Sequence, residues 1–184
     1  MKTFVISLTD REDRRKLFDD ANKGIIEYQY FNYSFNGKEI PYPKLKEMGF
    51  DCVHDWVDPI LGTRLTKGEV GCYLSHYHLW LTCLEYKEPI LILEDDAVLT
   101  DRFSVSEIEA QLNNNVNFLY LGWREQGRST PVDEKFVVPD YPYWGLAYVV
   151  TPEAAEILIQ NTKIFPVDEY LPKRMKDLRP LAYK

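Results

Sequence analysis

The chain has 184 residues with a net charge of -7, 45% of them hydrophobic and 28% charged, the profile of one soluble globular domain that buries roughly 70% of its unfolded surface. The acidic balance argues against nonspecific nucleic-acid binding, which draws on counterion release by a basic surface, and no stretch approaches the ~20 apolar residues of a membrane span. The three cysteines make no disulfide framework, because Cys72 and Cys83 fall on one predicted helix about 16 Å apart, and the N-terminal apolar run is too short for a signal peptide, so a reduced, cytoplasmic setting is expected.

Phe4 to Leu8 reads as a first strand. Thr9 and Glu12 spell a T-x-x-E capping box for the helix that follows, which carries Arg11, Arg14, Arg15 and Lys16. Basic residues in a first turn oppose the helix dipole. An anionic ligand above the strand end would explain them; so would a solvated face paired with Asp10, Asp13, Asp19 and Asp20. Tyr28 to Phe35 is a second strand candidate, closed by the turn Asn36-Gly37. Residues 38–65 lack periodicity and read as a long loop with at most short helices.

Thr66 and Glu69 form a second capping box, opening the longest helix over about 67–87. Val70, Tyr73, Leu74, Tyr77, Leu81 and Leu84 make one apolar stripe at helical spacing. Cys72, Ser75, His76, Leu79 and Cys83 make another that is only weakly polar. A helix apolar on two sides is covered on two sides, so Ser75 and His76 are either satisfied core groups or part of a ligand-site wall. Residues 103–114 suit a surface helix with Ile108 and Leu112 inward. Val116 to Leu121 and Tyr143 to Val150 read as strands, and Thr151-Pro152-Glu153 starts a helix running to about Gln160. Alternating strands and helices predict an α/β fold with a mostly parallel central sheet.

The most informative run is Ile90-Leu91-Ile92-Leu93-Glu94-Asp95-Asp96-Ala97. Four large aliphatics predict a strand buried on both faces. Three acids then stand where it leaves the sheet, the end at which open α/β sheets bind ligands. Crowded carboxylates gain nothing from burial unless a cation or proton offsets them. Hard oxygen ligands suit Mn²⁺ or Mg²⁺; an acidic turn facing water is the plain alternative.

Several segments together carry a resemblance. They are Val5-Ile6-Ser7-Leu8 with Arg11 and Arg14, Leu65 to Cys72 running into Leu74-Ser75-His76, and Ile92 to Ala97. Leu119-Tyr120-Leu121-Gly122, Trp144-Gly145 through Tyr148, and Pro166-Val167-Asp168 complete the series. In this order the chain resembles glycosyltransferase family 25, bacterial lipopolysaccharide and lipooligosaccharide galactosyltransferase-like proteins, as one domain over 1–184. The resemblance implies a GT-A-like (Rossmann-like) fold, a UDP-sugar donor, a divalent metal (Mn²⁺ or Mg²⁺), and inverting transfer of a hexose, typically galactose, to a saccharide or glycolipid acceptor of a bacterial surface glycan. It implies Glu94 and Asp96 as metal ligands, with Asp95, Ser7, Arg11, Arg14, Asn36, Gly37, Ser75 and His76 on the donor side. Trp144 and Gly145 fall to the acceptor. The usual acid after Trp-Gly is replaced here by Leu146 and Ala147, so Asp168, and after it Glu169, is the expected general base. Family members continue past the Pro-Val-Asp segment, and a short tail leaves a catalytically inactive nucleotide-binding or scaffold module as the alternative. Location is expected in the cytoplasm or at the inner face of the membrane, with at most peripheral membrane association and no nucleic-acid partner.

Overall fold

The structure, a computed structural model, describes residues 1–53, 55–59 and 62–184; His54, Ile60 and Leu61, inside the expected 38–65 loop, lie outside the described residues. Strand β1 (Lys2–Ile6) leads into helix α1 (Glu12–Asn22). The capping box expected at Thr9 does not form. The chain turns first, Arg11 N donating to Leu8 O, so Arg11 becomes the cap without a side-chain hydrogen bond and Thr9 stays exposed before it.

Of the aromatic stretch 28–35 only β2 (Gln29–Tyr30) joins the sheet. Beyond it a turn at Phe31–Ser34 carries the chain away to a short 3₁₀ turn at Gly37–Glu39. Helix α2 (Tyr42–Glu47) and strand β3 (Asp51–Cys52) follow. Helix α3 (Lys67–Tyr86) opens with the expected capping box complete, Thr66 and Glu69 each bonding the other's backbone, and ends at Lys87 in the left-handed region, φ 56°.

Next come β4 (Ile90–Glu94), α4 (Val105–Asn113), β5 (Phe118–Glu125), β6 (Thr130–Pro131), β7 (Phe136–Val138) and β8 (Pro142–Val150). Helix α5 (Pro152–Leu158) is capped by Thr151 as expected, and β9 (Lys163–Ile164), α6 (Val167–Arg174) and β10 (Pro180–Tyr183) close the chain. Eight strands form one sheet in the order β2-β1-β4-β8-β5-β10-β7-β6, and β3 pairs with β9 apart from it. Within the large sheet β7 and β8 run against the other six strands, so the fold is α/β with a mostly parallel central sheet flanked by helices.

Residues of one strand serve two cores. Ile90 and Ile92 of β4 pack with Tyr148 and Val150 of β8 beneath α3, whereas Leu91 and Leu93 pack with Ala147 and Val149 beneath Phe18 of α1 and Ile108 of α4. All four aliphatics are fully buried, as a strand covered on both faces must be. The sheet's centre therefore presents only strand ends to solvent. The reversed β8, lying between β4 and β5, brings its own N-terminal half to the acid-tipped end of β4.

Candidate active site

The acids after β4 occupy distinct environments. Asp95 is 9% exposed, and Arg14, reaching across from α1, meets its carboxylate at 2.5 Å and that of Asp96 at 3.0 Å. Burial pushes the Asp95 carboxyl above its ordinary range, with Arg14 opposing the rise. Ser7 Oγ is buried beside it and makes no hydrogen bond. The loop beyond is pinned by buried Asn22, whose amide donates to Ala97 O at 3.0 Å and accepts from Leu99 N at 2.8 Å.

Glu94 and Asp96 face a cleft of about 400 Å³ whose lining is completed by Trp144, Gly145, Leu146 and Asp168. Five sequence-assigned residues thus meet from three elements. Asp168, in the first turn of α6, accepts a hydrogen bond from Gly145 N at 2.8 Å. That bond ties α6 to β8 and aims the carboxylate across the cleft. Burial, first, and then the Glu94 charge raise the Asp168 carboxyl, against the opposing Gly145 N–H. Trp144 is 45% exposed and holds φ at 72°, a left-handed conformation that costs a non-glycine residue roughly 1 kcal/mol or more. Its ring stands 5.9 Å from the Arg124 guanidinium.

Other assigned residues lie elsewhere or are already engaged. Glu169 accepts from the Tyr141 hydroxyl at 2.6 Å and does not line the cleft. The next helical position after Asp168 points about 100° away from it. Arg11 bonds Asp13 through two 2.8 Å contacts at the exposed start of α1. Asn36 caps the 3₁₀ turn, accepting from Lys38 N and donating to Glu39. Gly37 is pressed against α3, where a Cβ would fall 1.8 Å from Lys67 O. Ser75 Oγ accepts from Phe35 N and donates to Gly71 O, each at 2.8 Å. Of the two uses the sequence left open for Ser75, the scaffold is the one these bonds serve.

His76 is fully buried and connects wall to tip. Its Nδ1 meets the Tyr148 hydroxyl at 2.7 Å, which also accepts from Trp80 Nε1 at 3.0 Å, and its Nε2 meets Glu94 Oε1 at 3.2 Å. Cys72, one turn earlier, places Sγ 4.0 Å from the same Glu94 oxygen; burial, then Glu94, pushes this thiol well above its ordinary value. Among the described residues, Cys72, His76 and Glu94 are the set whose ligand atoms all lie within 4.8 Å of one another. Sequence reasoning missed Cys72, Trp80 and Tyr148. The i, i+4 spacing of Cys72 and His76 was a visible signal; the link to Tyr148 depends on sheet pairing.

Among curated proteins the chain is similar to "Procollagen galactosyltransferase 2" of Homo sapiens, at 30% identity over 97% of this chain and 31% of that protein. It is likewise similar to "Glycosyltransferase 25 family member" of Drosophila melanogaster, at 32% identity over 93% of this chain and 30% of that one. The chain thus spans about a third of the length of these relatives. Among solved structures, the crystal structure of A197 from STIV aligns with 99% of this chain and 81% of its own, at 16% identity and a TM-score of 0.49. The model for "Glycosyltransferase family 25 (LPS biosynthesis protein)" matches residues 1–171. With the ordered motifs lying in one continuous fold and the match covering all but the last 13 residues, the chain belongs to glycosyltransferase family 25.

Proposed function

We propose that this domain transfers galactose from UDP-galactose to a saccharide acceptor, with inversion at the anomeric carbon and with Mn²⁺ or Mg²⁺ bound. One observation carries this reading: Glu94 and Asp96 from the β4 tip and Asp168 from α6 reach a single cleft, beside an exposed tryptophan of β8. The donor set fits a hard cation, being carboxylate oxygen throughout. Such ions are commonly held by one or two carboxylates and by the substrate's own phosphates, so Asp96 with Glu94 suffices. The chemistry that ion would supply is neutralisation of the charge gathering on the departing diphosphate.

The rest falls to the chain. Arg14 holds Asp95 and Asp96 at the strand tip, fixing where the phosphates must lie. Asp168 takes the acceptor hydroxyl's proton as that oxygen attacks the anomeric carbon from the face opposite the leaving UDP. Its raised pKa makes it a stronger base than an ordinary carboxylate. Trp144 offers an apolar ring on which the acceptor sugar stacks, and the strain of its backbone supports a binding role.

For the acceptor we favour a bacterial surface glycan such as lipopolysaccharide, assembled in the cytoplasm at the inner face of the membrane, because an exposed aromatic beside the base suits a sugar ring. The test is UDP release from UDP-galactose with Mn²⁺, with and without an oligosaccharide or a procollagen peptide. Turnover stimulated by the saccharide, and lost on chelation and in Asp96→Ala, supports the reading. Full turnover by Asp96→Ala overturns metal dependence. Donor binding without transfer to either acceptor would favour a non-catalytic module.

A further inference from the structure

We propose that Cys72, His76 and Glu94 form a binding site for a transition-metal ion of the zinc class, set in the inner wall of the cleft. Cys72 and His76 stand one turn apart on the same face of α3, and Glu94 completes the set from the end of β4. Glu94 Oε1 lies 3.2 Å from His76 Nε2 and 4.0 Å from Cys72 Sγ, and all three atoms fit within 4.8 Å. Bonds of roughly 2.0–2.3 Å to tetrahedral zinc place neighbouring ligand atoms about 3.3–3.8 Å apart, so the ion requires only small side-chain shifts.

The donor chemistry points the same way. A thiolate and a carboxylate balance a divalent charge, and the imidazole adds a neutral ligand. Sulfur and nitrogen together favour zinc or cobalt over Mn²⁺ or Mg²⁺. The imidazole is also oriented from behind, as metal-binding histidines are: Nδ1 faces the Tyr148 hydroxyl at 2.7 Å, itself held by Trp80 Nε1 at 3.0 Å. A Tyr oxygen can accept from both N–H groups, leaving the Nε2 lone pair free for the ion. Glu94 opens onto the cleft, which leaves a fourth coordination position for water. Glu94 also serves the galactosyltransferase reading, so an ion bound here withdraws that carboxylate from the cleft.

Cobalt tests this on the full chain without turnover. Co²⁺ should produce a near-ultraviolet thiolate-to-cobalt band and the intense visible bands of a four-coordinate ion, all bleached by equimolar Zn²⁺. Cys72→Ser should abolish the near-ultraviolet band, and Tyr148→Phe should weaken binding about 10-fold. Zn²⁺ should also slow iodoacetamide alkylation of Cys72 in the unaltered protein, located by peptide mass, which removes any dependence on how the variants fold. Absence of the band in the unaltered protein, its persistence in Cys72→Ser, or alkylation of Cys72 at an unchanged rate with Zn²⁺ overturns the site. A protein that binds cobalt in this way but, freed of cobalt and supplied with Mn²⁺, releases no UDP would sink the galactosyltransferase reading alone.

Discussion

Ser75 and His76 are adjacent on α3, yet they belong to regions that handle polarity in opposite ways. Around Ser75 the polar groups are spent internally: its hydroxyl bonds Phe35 N and Gly71 O, Asn36 caps its own turn, and Gly37 and Gly71 bring two backbones into contact. Around His76 the chain crowds Glu94, Asp95, Asp96 and Asp168 at one strand end and holds Trp144 in a left-handed conformation. The first region is a fitted joint that sets where the second stands. The second carries unfavourable charge and strain that a bound ligand would offset, the common trade of stability for function.

Asp168→Asn should break the contrast most sharply. If Asp168 is the base, kcat falls by about 10²–10⁴-fold, while Asn still accepts from Gly145 N. Stability should move the other way. Burial holds the Asp168 carboxyl above its reference value of 3.8, so the folded state binds the proton more tightly than the unfolded chain. Its contribution is therefore fully present below pH 3.8 and is lost as pH rises through the folded pKa. Asn does not titrate, so thermal melts should show the variant gaining on the parent as pH rises across that window. Exposed Asp13, lowered to about 2 by its bond to Arg11, has the opposite sign: its contribution is present above pH 3.8 and is lost as pH falls towards 2. A variant losing stability relative to the parent at neutral pH would show that Asp168 belongs with the joint.

Gly37→Ala tests the joint itself. Its Cβ would sit 1.8 Å from Lys67 O and 2.8 Å from Gly71 N. Both are backbone atoms of a capped helix, so the turn must be displaced. A loss of about 3 kcal/mol is expected, at the upper end of overpacking, read as a lower urea midpoint. Ser75→Ala should cost less, about 1–3 kcal/mol, because it orphans Phe35 N–H without forcing atoms together. If instead Ser75→Ala left stability unchanged and raised KM for the donor, Ser75 would be a wall residue after all.

What the sequence disclosed follows the same division. The β4 run and the Thr66 box were legible because each is local: four aliphatics define a doubly buried strand, and a cap requires only its own four residues. Glu94, Asp96, Trp144, Gly145 and Asp168 were named in advance, but spacing said nothing of their meeting, which depends on β8 reversing beside β4. The expected Tyr28–Phe35 strand shrinks to Gln29–Tyr30 because aromatic content marks burial, not pairing, and Phe31 and Phe35 instead pack against α3's side of the core. The short strands β6, β7 and β10 carry too few residues for a period to show.

The two capping boxes give the smallest and cleanest contrast. Both read T-x-x-E, yet only Thr66 accepts from the helix, at 3.2 Å from Glu69 N, while Glu69 reaches back to Thr66 N at 2.6 Å. Before α1 the Leu8–Arg11 turn moves the helix start past Thr9. Thr66→Ala should therefore cost about 1 kcal/mol, whereas Thr9→Ala should stay within about 0.5 kcal/mol of the parent, as exposed positions without a partner do. Equal losses in paired urea melts would mean that the Thr9 box does form in solution. Helix α1 would then begin earlier, shifting Arg14 along the axis and away from the 2.5 Å contact with Asp95 that anchors the strand tip.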